Sequence, residues 1–355
     1  MSTREFAFCA KRWAENTARQ LEKTGSRSSP LLRSDRGDIT YIDSGALEKV
    51  VRPPAEKLVD PISSLNLQFL PAQSPQEHFA IVDGARMRYF ESGAGRPLIL
   101  LHGLMGYSFS WRFNLPALSQ HAKVYAVDQL GAGFSDRPAK LNCRLRAVSE
   151  RVLKFARALR ISSFDLLGTS HGGAVGMMAA SMCADAADLK IGRLILVAPV
   201  NPWSPHGRML APFLGNPLVS ALFLRSVKHM RWAYPHWLAR LYGNPQRIPP
   251  GTLEGYEAPV LNIPGSWQYG LSIVRHWTED LQELERAIVH IHSIPTLLLW
   301  GSADLAVAAD SAEQLRRHFD SCEVAIFPGV GHLPYEEAPD RFNTTLVDFL
   351  ARAPA

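Results

Sequence analysis

The chain has 355 residues, 46% of them hydrophobic and 20% charged, which is enough for one large α/β domain with an insertion or for two modest domains. Its 38 basic and 33 acidic residues leave a net charge of +5 spread along the sequence, and no basic run alternates with aromatics, so nucleic-acid binding is not expected. Four separated cysteines (Cys9, Cys143, Cys183, Cys322) offer no zinc spacing or disulfide framework, and no secretory signal or bilayer-length apolar run occurs, so reduced thiols and a cytoplasmic location are expected.

Residues 1–75 read as an N-terminal extension of helix plus linker. Arg4 to Lys23 is predicted as a helix with Phe6, Ala10, Trp13 and Leu21 along one side. A packing helix or half-ordered arm is the plainest role, and peripheral membrane contact by this helix stays open. Glu5, Glu15 and Glu22 argue against an organelle transit peptide. Gly25 to Gly45, rich in Ser, Arg, Asp and Gly, reads as a linker.

An α/β core is predicted over 76–200 and 293–355, with regular structure beginning near Phe79. Phe79 to Val82 and Arg86 to Glu91 flank Asp83-Gly84, a two-residue hairpin signal. Leu98 to Leu101 is a short apolar strand running into His102-Gly103-Leu104-Met105-Gly106. Val124 to Val127 is the next, ending at Asp128 ahead of Gly131-Ala132-Gly133-Phe134-Ser135-Asp136. Leu145, Val148, Val152, Phe155 and Leu159 recur at helical spacing. Phe164 to Leu167 reads as a buried strand, Gly168-Thr169-Ser170-His171-Gly172 as a sharp turn, and Gly173 to Ala180 as the helix behind it. Leu194 to Val197 is another strand. Between Asn201 and His292 the strand signal stops, and a Pro-broken helical stretch rich in Trp and Tyr follows. Strands resume at Thr296 to Trp300, then a helix at Ser311 to Phe319, a strand at Val324 to Phe327 and a closing helix from Pro339 to Arg352. This alternation implies a largely parallel sheet covered on both faces, with sites at the carboxyl ends of its strands.

The candidate chemistry sits at those ends. A serine lifted from a strand–turn–helix elbow has an exposed oxygen but needs a base to become a nucleophile, which makes Ser170 the first candidate. His332, in Gly329-Val330-Gly331-His332-Leu333-Pro334, is the candidate base, since this motif class runs nucleophile, acid, base along the chain. Asp304, in Leu299-Trp300-Gly301-Ser302-Ala303-Asp304, is the candidate acceptor that fixes the base's tautomer. Asp310 is its rival, but it stands where a helix N-cap would be. Oxyanion donors are expected from the backbone N–H groups of His171 and Leu104. The His102 side chain should brace its loop, and the His171 side chain should take no part in proton transfer. Asp128 and Asp136 read as turn stabilisers rather than a metal site or carboxylate pair. No phosphate-cradling loop or dinucleotide fingerprint is present, and neither metal nor cofactor is expected.

From about residue 79 onward these motifs, with Trp300-Gly301 and Gly331-His332, resemble the α/β-hydrolase superfamily. The resemblance implies an eight-stranded, mostly parallel sheet flanked by helices, with a helical cap over 201–292. The N-terminal arm has no counterpart in that pattern. Epoxide hydrolases and haloalkane dehalogenases of the fold use an aspartate at the elbow, where this chain has Ser170. Carbon–carbon hydrolases of ring-cleavage products usually carry a Gly-Pro-Gly oxyanion loop, and proline iminopeptidases Gly-Gly-Pro-Gly; Leu104-Met105 matches neither. The resemblance therefore implies an esterase or lipase-like enzyme acting on a small hydrophobic acyl substrate through an acyl-enzyme. The same triad acting on a C–C, amide or thioester bond is one alternative. A non-catalytic binding or interaction protein on a hydrolase scaffold is another. The oligomeric state is left open.

Overall fold

A single eight-stranded sheet organises the computed structural model, which describes residues 50–51, 74–184, 186–204, 210–227 and 229–352. The expected helix over Arg4 to Lys23 and the linker over Gly25 to Gly45 lie outside the described residues. The strands are β1 (Val50–Val51), β2 (Gln76–Val82), β3 (Ala85–Ser92), β4 (Pro97–Leu101), β5 (Lys123–Val127), β6 (Arg137–Pro138), β7 (Ser163–Thr169), β8 (Lys190–Val197), β9 (Thr296–Gly301) and β10 (Cys322–Phe327). Their order in the main sheet is β10-β9-β8-β7-β4-β5-β3-β2, parallel from β10 to β5, with β3 antiparallel to both its neighbours.

Regular structure starts earlier than the expected Phe79. β2 begins at Gln76, and β1 pairs antiparallel with β6. Two-residue strands carry too little pattern to be read from sequence. The β2–β3 hairpin turns on Asp83 at φ 51° and Gly84 at φ 74°, the pair of positive values that the favoured two-residue turn requires.

Alternation along the central strands assigns their side chains to two faces. Ile99, Leu101, Leu166, Leu194, Leu196, Leu298 and Trp300 join one buried cluster with the helices Leu145–Ala158 and His171–Ala184. Leu98, Leu100, Leu167, Ile195, Val197, Leu297 and Leu299 join the other, beneath Leu115–Leu118 and Pro339–Leu350. Burial on both faces is why these strands read as continuous apolar runs.

Asp128, just past β5, accepts hydrogen bonds from the N–H groups of Ser108 (2.7 Å) and Phe134 (2.9 Å) and pairs with buried Arg88 at 3.2 Å. Asp136 accepts from Arg86 N at 2.9 Å. Both carboxylates thus tie loops to the sheet edge.

Among the described residues, short 3-10 turns and the α-helices Leu210–Gly215, Pro217–Val227, Tyr234–Ala239, Thr252–Asn262, Ser266–Val274 and Trp277–Ala287 fill the interval between β8 and β9. The last is anchored to the core by Asp280, which accepts from Leu145 N at 2.9 Å. Among the described residues no helix is long and apolar enough to cross a membrane.

Candidate active site

Ser170 occupies the turn between β7 and the helix His171–Ala184 with φ 52°, a left-handed conformation that a serine adopts only when its surroundings impose it. Those surroundings are hydrogen bonds on both sides. Ser170 N donates to Val197 O at 2.9 Å, and Ser170 O accepts from Val200 N and Gly173 N, each at 2.9 Å. Close packing follows from Gly172, where a Cβ would lie 2.4 Å from His102 O and 2.5 Å from Leu101 O. The elbow and the loop after β4 are therefore pressed together.

His332 stands on the loop after β10, and its Nδ1 lies 2.8 Å from Asp304 Oδ2 on the loop after β9. Both side chains are buried. The other carboxylate oxygen of Asp304 accepts from Ala306 N at 2.7 Å and Val307 N at 2.9 Å. Held from both ends, the carboxylate keeps the imidazole in one orientation. A Cβ on Gly301 would come within 2.0 Å of Gly331 O, so the two loops touch through backbone. Asp310 stands at the N-cap position of Ser311–Arg316, as expected, but its side chain makes no capping hydrogen bond.

Ser170 and His332 line one cavity of about 370 Å³, together with Leu104, Tyr234, Trp237, Tyr256 and Trp267. The described hydrogen bonds include none between Ser170 Oγ and His332, whose imidazole pairs with Asp304. Among the described residues, the backbone N–H groups of Leu104 and His171 donate to no protein acceptor. The Gly103–Gly106 loop is itself fixed by Gly106 N donating to Gly103 O at 3.0 Å, with Met105 at φ 60°.

The other two histidines of the region are structural. His102 accepts from Gln129 N at Nε2 (3.1 Å), so its proton sits on Nδ1 and is donated to Gly103 O at 2.8 Å. The His171 ring packs against Trp277 at 6.1 Å and does not line the cavity. Burial, with a smaller contribution from His102, pushes the His171 pKa down to about 3, and burial also lowers that of His102.

Sequence reading missed two carboxylates behind His332. Glu337 accepts from Gly331 N (2.7 Å), Gly243 N (2.8 Å) and Asn244 N (2.9 Å), and His332 N donates to Leu241 O at 2.7 Å. The loop carrying His332 is thereby stitched to the helical insertion. Glu336 pairs with buried Arg112 at 2.7 Å and accepts from the hydroxyls of Tyr242 (2.7 Å) and Tyr256. Burial, then Glu336, raises the Tyr256 pKa well above its ordinary value, so the phenol stays a donor. Burial works against the charge of Arg112, but Glu336 outweighs it and raises the pKa. The signal available was the Glu336-Glu337 pair three residues after the Gly331-His332-Leu333 turn, which is too ordinary at a helix start to stand out.

The cavity wall is mostly apolar. Among the described residues Glu257, bridged to Arg231 at 3.1 Å, is the one carboxylate that lines it, and no Lys or Arg does. A second apolar cavity of about 280 Å³ shares Leu104, Met105 and Trp267 with the first and is bounded by Phe223, Leu271 and Trp277. Among the described residues no cluster of three or more His, Cys, Asp or Glu side chains could hold a metal ion.

Comparison with known proteins matches residues 96–339 to the family described as alpha/beta hydrolase fold. The chain is 30% identical over 284 residues to the dihydrolipoyllysine-residue acetyltransferase component of an acetoin cleaving system from Pseudomonas putida, covering 79% of this chain and 71% of that protein. It is 28% identical to the 2-hydroxymuconate semialdehyde hydrolase of Pseudomonas sp. (strain CF600), covering 80% of this chain and 98% of that one. Among solved structures, the epoxide hydrolase CorEH without ligand superposes with a TM-score of 0.67 at 24% identity, over 78% of this chain and 99% of its own, a likeness of fold.

Proposed function

The chain belongs to the α/β-hydrolase family and is a hydrolase of that superfamily; from that premise we propose that it is a serine hydrolase of hydrophobic carboxylic esters. The observation that carries the proposal is the buried His332–Asp304 hydrogen bond beside an apolar cavity that Ser170 also lines. In this reading His332 Nε2 takes the proton from Ser170 Oγ as the oxygen attacks the ester carbonyl. The carbonyl electron pair moves onto oxygen, where the N–H groups of Leu104 and His171 receive it. Collapse expels the alcohol, protonated by His332, and leaves an acyl-enzyme. Water, deprotonated by His332, then releases the acid and restores the serine. Asp304 keeps the Nδ1 proton in place and steadies the imidazolium.

The wall chemistry favours a neutral ester. A muconate-type substrate brings a carboxylate, and among the described residues no Lys or Arg lines this cavity to pair with it. The volume of about 370 Å³ suits a small to medium ligand. A second reading, cleavage of a C–C bond, is favoured by the similarity to 2-hydroxymuconate semialdehyde hydrolase.

The deciding experiment is turnover of a chromogenic ester series of rising acyl length, run beside a 2-hydroxymuconate semialdehyde. The expected result is ester hydrolysis that disappears in Ser170→Ala, together with fluorophosphonate labelling of the wild type alone. Faster turnover of the semialdehyde than of any ester would replace the ester reading, and full activity in Ser170→Ala would end it.

A further inference from the structure

One stretch of the chain lacks acidic residues altogether. Between Leu189 and Leu253 there is no Asp or Glu, although the whole sequence contains 33. From Asn201 to Leu253 the same stretch carries six cations: Arg208, Arg225, Lys228, Arg231, Arg240 and Arg247. Among the described residues, Arg231 pairs with Glu257 and Arg247 with Glu337, whereas Arg225 and Arg240 are exposed and have no ion pair.

The same segment exposes large apolar side chains. In the helix Pro217–Val227, Leu218, Ala221, Leu222 and Arg225 follow one another at helical spacing along the outer face. Leu218 is 82% and Leu222 66% exposed, Phe213 on the preceding helix is 55% exposed, and Trp232 after it is 69% exposed. Exposed leucines are common singly, but an apolar stripe that ends in an arginine and is followed a few residues later in the chain by an exposed tryptophan is not an ordinary solvated face. It also adjoins the cavities. Phe223, next to Leu222, bounds the second cavity and meets Trp267 edge-on at 5.7 Å, and partly exposed Trp237 lines the first.

We propose that this face of the insertion docks on a lipid surface bearing anionic headgroups. Leu218, Leu222 and Trp232 enter the acyl region, and Arg225 and Arg240 meet the headgroups. The choice of occupant rests on charge: a segment with cations and no carboxylate complements an anionic surface. Placement beside the cavities would let an apolar substrate pass from lipid to the site without crossing water. The docking stands independently of the bond that is cleaved.

The test is co-sedimentation of the full chain with vesicles of phosphatidylcholine alone and of phosphatidylcholine mixed with phosphatidylglycerol. Binding should favour the mixed vesicles and weaken as salt rises. Leu218→Ser/Leu222→Ser should lower affinity about tenfold, from the apolar area removed from lipid. Arg225→Gln should lower it about fivefold on the mixed vesicles only. Turnover of a short soluble ester should be unchanged in both variants, which separates lost docking from lost folding. Ser170→Ala should bind as the wild type does, which separates this proposal from the ester reading. Absence of binding at low salt would overturn the proposal. So would binding unaffected by Leu218→Ser/Leu222→Ser, which would move the contact to another part of the chain. Self-association abolished by that double variant, without vesicle binding, would assign the face to a second copy and overturn it equally.

Discussion

Acid should weaken this protein through His171. The ring is buried against Trp277, and burial holds its pKa near 3 against an ordinary value of 6.5. A depressed histidine pKa means that the unfolded chain takes up the proton first as pH falls. The ring's contribution is therefore complete above about pH 6.5 and declines continuously toward about pH 3. Moving from about pH 7.5 to about pH 5 spans roughly 1.5 units below the unfolded value, a loss of about 2 kcal/mol at 1.36 kcal/mol per unit. His102, lowered by burial as well, adds a loss of the same sign. His171→Leu, close in volume and unable to titrate, isolates the first part. Urea unfolding of both proteins across this range should show the wild type losing about 2 kcal/mol more than the variant. Parallel stability–pH curves would refute the account, since they would mean that the folded state accommodates a charged His171.

Asp304→Asn should keep the fold, because an amide oxygen can still accept from Ala306 N and Val307 N. Its amide would reverse the hydrogen bond to His332, and turnover should fall about ten-thousandfold, read by ester kinetics. Gly301→Ala drives a Cβ into Gly331 O and Val330 O, which are backbone and cannot swing aside; a loss of about 3 kcal/mol or more, with activity, should appear in thermal unfolding. Glu336→Ala leaves Arg112 charged and buried without its partner, so unfolding free energy should drop by about 3–5 kcal/mol; a drop below about 1 kcal/mol would show the arginine re-solvating.

Legibility of the sequence tracked how locally each feature is determined. Asp83-Gly84 and the elbow announce themselves because positive φ confines the residue choice within a few positions. Central strands were readable because burial on both faces leaves almost no polar residue in them. Position along the chain also placed Asp304 and His332 on successive strand ends, and the structure brings them to 2.8 Å. Long-range packing was not readable. Tyr234, Trp237, Tyr256 and Trp267 line the cavity, while Tyr242 and Tyr269 of the same segment are buried in the core, and nothing in their spacing separates the groups. The Glu336 network draws partners from residues 112, 242 and 256, so no window of sequence contains it.

The stitching of Leu241, Gly243 and Asn244 to His332, Gly331 and Glu337 restricts how this molecule can breathe. Swinging that end of the insertion outward would break three hydrogen bonds donated by backbone amides and disturb the loop that holds the imidazole on its aspartate. A hinge there would disturb the His332–Asp304 pair beside the cavity it opened. Access to the cavity is thereby left to the parts of its rim that these bonds do not hold, such as the side lined by Tyr234, Trp237 and Trp267.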